Sequence, residues 1–260
     1  APALPRRPAV CLPRRAAVRL ARLPPLRPHT GSFALVATNR TVPRVNPAHW
    51  QLGIDGMLER PMTISYPQLM AMPMIERDIT LTCVSNEVGG QYVGAARWQG
   101  VRLADLLDRV GVRSGADQLL STAVDGFQIG TPMEVVRDGR DAMIAVGMNG
   151  QPLPATHGFP ARMIVPGLYG FVSATKWLTK LTATTYAKDV SYWTKRNWAT
   201  DAPIKMSSRV DPPPPLSTLN AGLTATGGVA GSHRTRHPAP AAPSPTRPRP
   251  PSPPPPLRPH

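Results

Sequence analysis

The chain has 260 residues, 34 of them proline, and a formal charge of +15 from 30 Lys+Arg against 15 Asp+Glu. Such a charge suggests nucleic acid or an anionic membrane, but residues 1–49 carry nine arginines and no acid, whereas 50–210 hold 16 basic against 14 acidic residues, a net +2. The basicity belongs to the ends, so no nucleic-acid partner is expected, and with no run of about 18 apolar residues no transmembrane segment is predicted in this chain.

Residues 1–41 lack a usable apolar period and read as a disordered Arg/Pro-rich tail. Because Arg, Pro, Ala and Gly all have GC-rich codons, aberrant translation is one source for such a tail, and a natural polyproline II linker is the other. Residues 42–210 form the predicted domain, long enough to bury a core. Strand alternation begins with Trp50, Leu52 and Ile54, and "SYPQLMAMP" predicts a short helix closed by Pro73. In "RDITLTCVS" a strand places Ile79, Leu81 and Cys83 on one face and ends at the flexible stretch 86–90.

"ARWQGV" predicts the next strand, and Leu103, Leu106, Leu107 and Val110 follow at helical spacing up to Gly111. "QLLSTAV" is a strand ending at Asp125-Gly126, "TPMEVVRDG" a short helix, and "AMIAVGM" a strand leading to Asn149-Gly150, the dipeptide of a tight hairpin turn. "ARMIVPG" and "TKWLTKLTATTY" complete the strands. Strands and short helices mix without a regular βαβ repeat, so the fold class is α+β, with mixed sheets and short helices. Residues 232–260 return to Pro and Arg and read as a second disordered tail.

Cys83 and Cys11 are the only cysteines. Taken alone, Cys83 reads first as a small buried hydrophobe. Its place at a strand end before a Gly-rich turn also suits a nucleophile or a soft metal ligand. A nucleophilic cysteine needs a histidine base, and His49 and His157 are the two in the folded stretch. "THGFPARMIVPGLYG" instead resembles an anion-binding loop, with His157, then Arg162 at a strand start, and Lys176 after a turn of small residues. Each cation taken singly has a solvated-surface alternative. Asp125 reads as a turn residue or as an acceptor for the amino and ring N–H groups of a heterocycle. No GxGxxG, Walker, HExxH or GxSxG motif is present, so nicotinamide, nucleotide and zinc-hydrolase readings lack their anchors.

"LTCVSNEVGG", "MNGQPLP", "HGFPARMIVPGLYG" and "ATKW", in that order and spacing, resemble the sulfite oxidase type of molybdopterin-binding oxidoreductase domain, in particular its bacterial "CVSNEVGG" form. The resemblance implies one molybdenum-molybdopterin per chain and two-electron oxygen-atom transfer on a small-molecule substrate. It implies Cys83 as the catalytic molybdenum ligand, with Asp125, His157, Arg162, Ala174, Thr175 and Lys176 binding the cofactor. A separate electron donor or acceptor is implied, because the chain carries no haem, flavin or iron–sulfur motif.

Three departures shape these expectations. Glu87 stands where sulfite oxidases place arginines, which favours a neutral substrate such as a sulfoxide over sulfite. Phe33-Ala34 stands where the family's N-terminal cofactor contact usually has Phe-Tyr, so one wall of the site is expected to be altered. Residues 211–231 resemble the start of a dimerisation domain that goes no further, which argues against the family dimer. A cofactor-free, catalytically inert relative and an interaction protein acting through its Pro/Arg tails are the alternatives. Compartment stays open: a bacterial chain is cytoplasmic, or exported or membrane-associated if a leader precedes it.

Overall fold

The computed structural model describes residues 28–35, 41–211, 213, 216–219, 221–222, 224 and 226–231. The predicted tails 1–41 and 232–260 lie largely or wholly outside these residues. The domain is α+β and built mostly of strands, as the sequence predicts.

Sheet one has the order β2-β1-β10-β5-β6, where β1 is Gln51–Gly56, β2 Met62–Ser65, β5 Gln118–Ala123, β6 Gln128–Pro132 and β10 Leu178–Thr184. Only the β1–β10 pair within it is parallel, with Ile54 opposite Leu181. Sheet two runs β3-β4-β7-β8, with β9 also paired to β7. Its strands are β3 (Met74–Thr82), β4 (Val93–Arg102), β7 (Met143–Met148), β8 (Gln151–Pro152) and β9 (Arg162–Ile164).

Local chemistry accounts for the helices. In α1 (Tyr66–Met70) the Ser65 hydroxyl accepts from the Gln68 amide at 3.4 Å while the Gln68 side chain accepts from the Ser65 amide at 2.8 Å, a reciprocal capping box with Pro67 in the first turn. Helix α2 (Leu103–Val110) buries Leu103, Leu106, Leu107 and Val110 and ends on Gly111 at φ 67°, the left-handed conformation glycine adopts without cost. Helix α3 (Met133–Arg137) buries Met133, Val135 and Val136. The turn into β8 uses Asn149 and Gly150 at φ 53° and 78°, both positive as a two-residue hairpin demands.

Strand β7 is buried at every position and decides how the layers stack. Ile144 and Val146 enter the larger core with Leu52, Leu119 and Leu181 of sheet one. Met143, Ala145 and Met148 face a second, smaller core built on Trp98, Ile79 and Phe33. A strand buried on both faces shows no alternation of polarity, which is why "AMIAVGM" is a continuous apolar run.

Several boundaries differ from expectation. The predicted strand at "TKWLTKLTATTY" begins only at Leu178, because Trp177 takes φ 50° and turns the chain out of the ladder. "ARMIVPG" contributes only three ladder residues; beyond them Val165 donates to the Ser173 carbonyl instead. Strands β2 and β6 were not anticipated, since four- and five-residue segments beside Pro or Gly carry too little period to read. Near the C-terminus β11 (Ser207–Val210) pairs with β12 (Gly228–Gly231) in a separate two-stranded ribbon, all but Arg209 being exposed.

Candidate cofactor site

Cys83 follows the last residue of β3 and is half-buried, without a disulfide partner. The loop after it is closed by the Cys83 amide donating to the Tyr92 carbonyl (2.9 Å) and the Asn86 amide donating to the Cys83 carbonyl (3.0 Å). The Asn86 side chain accepts from the Tyr92 amide at 2.7 Å, so both arms of the loop are tied to one amide group. The thiol thus sits on a backbone fixed independently of it. Glu87, on the same loop, is exposed.

The cations lie where β9 runs beside residues 173–178. Arg162 is 5 % exposed; its Nη1 donates to the His157 carbonyl at 3.1 Å and its Nη2 to the Ala174 carbonyl at 3.4 Å. The guanidinium lies 5.1 Å from the centroid of the Trp98 ring, and its Nε is buried with no hydrogen-bond partner. Lys176 donates to the Thr156 carbonyl at 3.3 Å and rests 4.5 Å from the Trp177 ring centroid. Among the described residues no carboxylate lies within ion-pair distance of either cation.

Burial pushes the Arg162 guanidinium down to about 10, and burial together with the like charge of Arg162 pushes the Lys176 amine down to about 8, with Asp125 opposing. His157 is lowered by burial first; the two neighbouring cations lower it further, against the hydrogen bond to Thr30, which raises it. A buried and a half-buried cation with no carboxylate in ion-pair distance are costly for the protein alone, and an anion with planar and point-charge contacts would offset that cost.

The lowered Lys176 value sets a pH dependence. Between about 8 and its ordinary 10.5 the unfolded chain binds the proton and the folded chain does not, so stability rises with pH across that window. Urea midpoints of the cofactor-free chain should climb from pH 8 to 10.5, and Lys176→Met should flatten the slope; a slope unchanged in the variant would show that the amine is not desolvated.

Thr175 is 1 % exposed and shares a 2.5 Å hydrogen bond between its hydroxyl and that of Ser121, while its carbonyl accepts from the Met163 amide at 2.9 Å. Ala174 is held by its own amide donating to the Gly170 carbonyl at 3.1 Å. Asp125 is exposed in the β5–β6 turn and accepts from the Phe127 amide at 3.0 Å; the adjoining Val124 amide donates to the Trp177 carbonyl at 2.9 Å. A Cβ on Gly170 would lie 3.7 Å from the Thr82 carbonyl and 3.9 Å from the Ala174 methyl, which places the end of β3 beside this segment.

The fold therefore brings His157, Arg162, Ala174, Thr175 and Lys176 into one cluster, with the Asp125 turn and the Cys83 strand end at its margins. Sequence reading missed Trp98, Ser121 and Gly158. The last had a signal in "HGF": its φ is 106°, and a Cβ there would stand 3.0 Å from Lys176 Cβ and 3.2 Å from Arg162 Cβ, so glycine lets this turn pack against the bases of both side chains.

The sulfane dehydrogenase SoxCD from Paracoccus pantotrophus has the same fold, with a TM-score of 0.55 at 23 % identity over 70 % of this chain and 52 % of that one. The architecture is thus an α+β domain of that fold, with Arg162 buried and Lys176 half-buried where β9 runs beside residues 173–178. The family model described as "Oxidoreductase molybdopterin binding domain" matches residues 39–193. The chain belongs to this family of oxidoreductase domains, whose cofactor is molybdopterin.

Among curated relatives, the "Uncharacterized oxidoreductase YuiH" of Bacillus subtilis (strain 168) is 31 % identical over 157 residues, 60 % of this chain and 76 % of that protein. "Nitrate reductase [NADH] 1" of Oryza sativa subsp. japonica is 29 % identical over 189 residues, 62 % of this chain but 20 % of the relative. The chain thus spans about a fifth of the length of the nitrate reductase it matches.

Proposed function

We propose that the chain is a molybdenum-molybdopterin-dependent oxidoreductase that transfers an oxygen atom, with two electrons, to or from a small neutral substrate such as a sulfoxide. The observation that carries this reading is Arg162, a buried guanidinium with a free Nε and no carboxylate in ion-pair distance, next to a second, half-buried cation, Lys176. Bound there, molybdenum-molybdopterin supplies the redox chemistry and the oxygen-atom transfer.

The chain's own residues supply placement. Arg162 would offer planar N–H donors and Lys176 a point charge to the cofactor phosphate, while Gly158 packs against the bases of both side chains. Ala174 and Thr175 line the same segment through backbone groups held by Gly170 and Met163. Asp125 would accept from N–H donors of the pterin, and His157 would contact it as well. Cys83 provides a soft thiolate at a fixed strand end. Electrons would come from a separate donor or pass to a separate acceptor.

Glu87 supports the neutral substrate: an exposed carboxylate four residues beyond Cys83 raises the local negative potential and repels an approaching anion. Glu87→Arg should raise kcat/KM for sulfite relative to a neutral sulfoxide by about tenfold. Equal effects on both substrates would remove the electrostatic argument. The primary test is metal and pterin analysis of the chain purified from a cofactor-competent host. About one molybdenum per chain is expected for a one-cofactor site. Absence of metal would leave an inert relative.

A further inference from the structure

Residues 28–33 precede the family match at 39–193, yet their contacts converge on the cluster just described. They form a short turn in which the Phe33 amide donates to the Thr30 carbonyl at 3.3 Å. The same carbonyl is 3.2 Å from His157 Nε2. Asn149 pins the segment from the hairpin turn: its Nδ2 donates to the Thr30 hydroxyl at 3.1 Å, while its Oδ1 accepts from the Arg97 amide at 3.0 Å.

Phe33 is 6 % exposed and meets two site residues at once. Its ring is edge-on to His157 at 5.6 Å and to Trp98 at 5.7 Å, and Trp98 is the indole under Arg162. Gly94 makes the recess for it, since a Cβ there would be 2.9 Å from the Phe33 ring.

A carbonyl oxygen only accepts hydrogen bonds, so the contact with Thr30 requires a proton on His157 Nε2. The neutral ring then has Nδ1 as an acceptor and no second donor. We propose that residues 28–33 are a positioning strap that locks His157 as the Nε2–H tautomer, leaving Nδ1 to accept from an N–H donor of the pterin, and that steadies Trp98 beneath Arg162. Phe33 and Asn149 are positioning residues acting through His157 and Trp98. This rests on the proposed role of His157 toward the cofactor.

The test uses the full chain. Long-range nitrogen–proton NMR of the histidine side chains, with His157 assigned through His157→Gln, should show neutral imidazole protonated at Nε2 in the wild type, with or without cofactor. Phe33→Ala and Asn149→Gly should each give a mixture of tautomers and about tenfold weaker retention of molybdenum. Glycine at 149 tolerates the positive φ of the turn, so Asn149→Gly isolates the lost amide if Phe33→Ala fails to fold. Phe33→Leu, which refills the Gly94 recess, should keep the wild-type tautomer.

A wild-type proton on Nδ1, an unshifted tautomer in both variants, or a shifted tautomer with undiminished molybdenum retention would each overturn the strap. A wild type without molybdenum overturns the cofactor reading alone, because the tautomer measurement needs no cofactor.

Discussion

Replacing Cys83 by serine is expected to abolish turnover and change the electronic absorption of the molybdenum centre, while the melting temperature moves by less than about 2 °C. The two effects separate because the fold does not use the thiol. The Cys83 amide and carbonyl close the loop through Tyr92 and Asn86, and the half-buried side chain fills no large part of either core. Serine occupies nearly the same volume but presents a hard oxygen where a thiophilic metal takes a soft sulfur. Absorption spectra of purified wild type and variant, compared at equal metal content, read the metal directly. An unchanged spectrum would return Cys83 to the status of a packing residue.

Arg162→Met has two consequences of different size. Removing a buried, acid-free charge relieves its desolvation cost, on the order of a few kcal/mol. Against this stand two hydrogen bonds to the His157 and Ala174 carbonyls, whose loss costs about 1–3 kcal/mol. These nearly cancel, so urea denaturation of the cofactor-free chain should place the variant within about 1 kcal/mol of wild type.

Cofactor retention should change far more. Truncating one partner of a buried charge contact costs about 2 kcal/mol or more, which is about 30-fold in affinity. Molybdenum retained after dialysis should fall accordingly. A variant that is strongly destabilised without cofactor, or that keeps its metal, would mean that Arg162 serves the fold rather than an anion.

Much of the fold was legible because its signals are local. A positive-φ dipeptide at Asn149-Gly150, a helix ending on Gly111 and a cysteine at the end of an alternating strand each follow from a few neighbouring residues. The cation cluster was legible as residue types, Arg162 and Lys176 flanking a turn of small residues, but not as a desolvated pair, since desolvation depends on what packs from elsewhere. Trp98 lies 64 positions before Arg162 in the chain, and no spacing rule connects them. Ser121 of β5 meets Thr175, in the segment before β10, and again no spacing rule connects them.

The N-terminal segment shows the limit most clearly. From composition, residues 1–41 read as a tail, yet Phe33 is buried against Trp98 and His157, with Gly94 leaving the space. A single aromatic in an aperiodic stretch carries no signal of what it covers, because a strap borrows its core from the sheet it crosses.

What the sequence by itself determined is the alternation of short strands and helices, the near-neutral middle against basic ends, and the types of side chain available for chemistry. These follow from period, turn geometry and charge, which are properties of neighbours along the chain. Only the tertiary structure decided that Arg162 and Lys176 are desolvated without an acid, that Trp98 lies under Arg162 and Gly158 packs against the bases of both side chains, and that Thr30 meets His157. Those facts depend on distances across two sheets and a strap, and the free energy of a buried charge is set by everything that surrounds it.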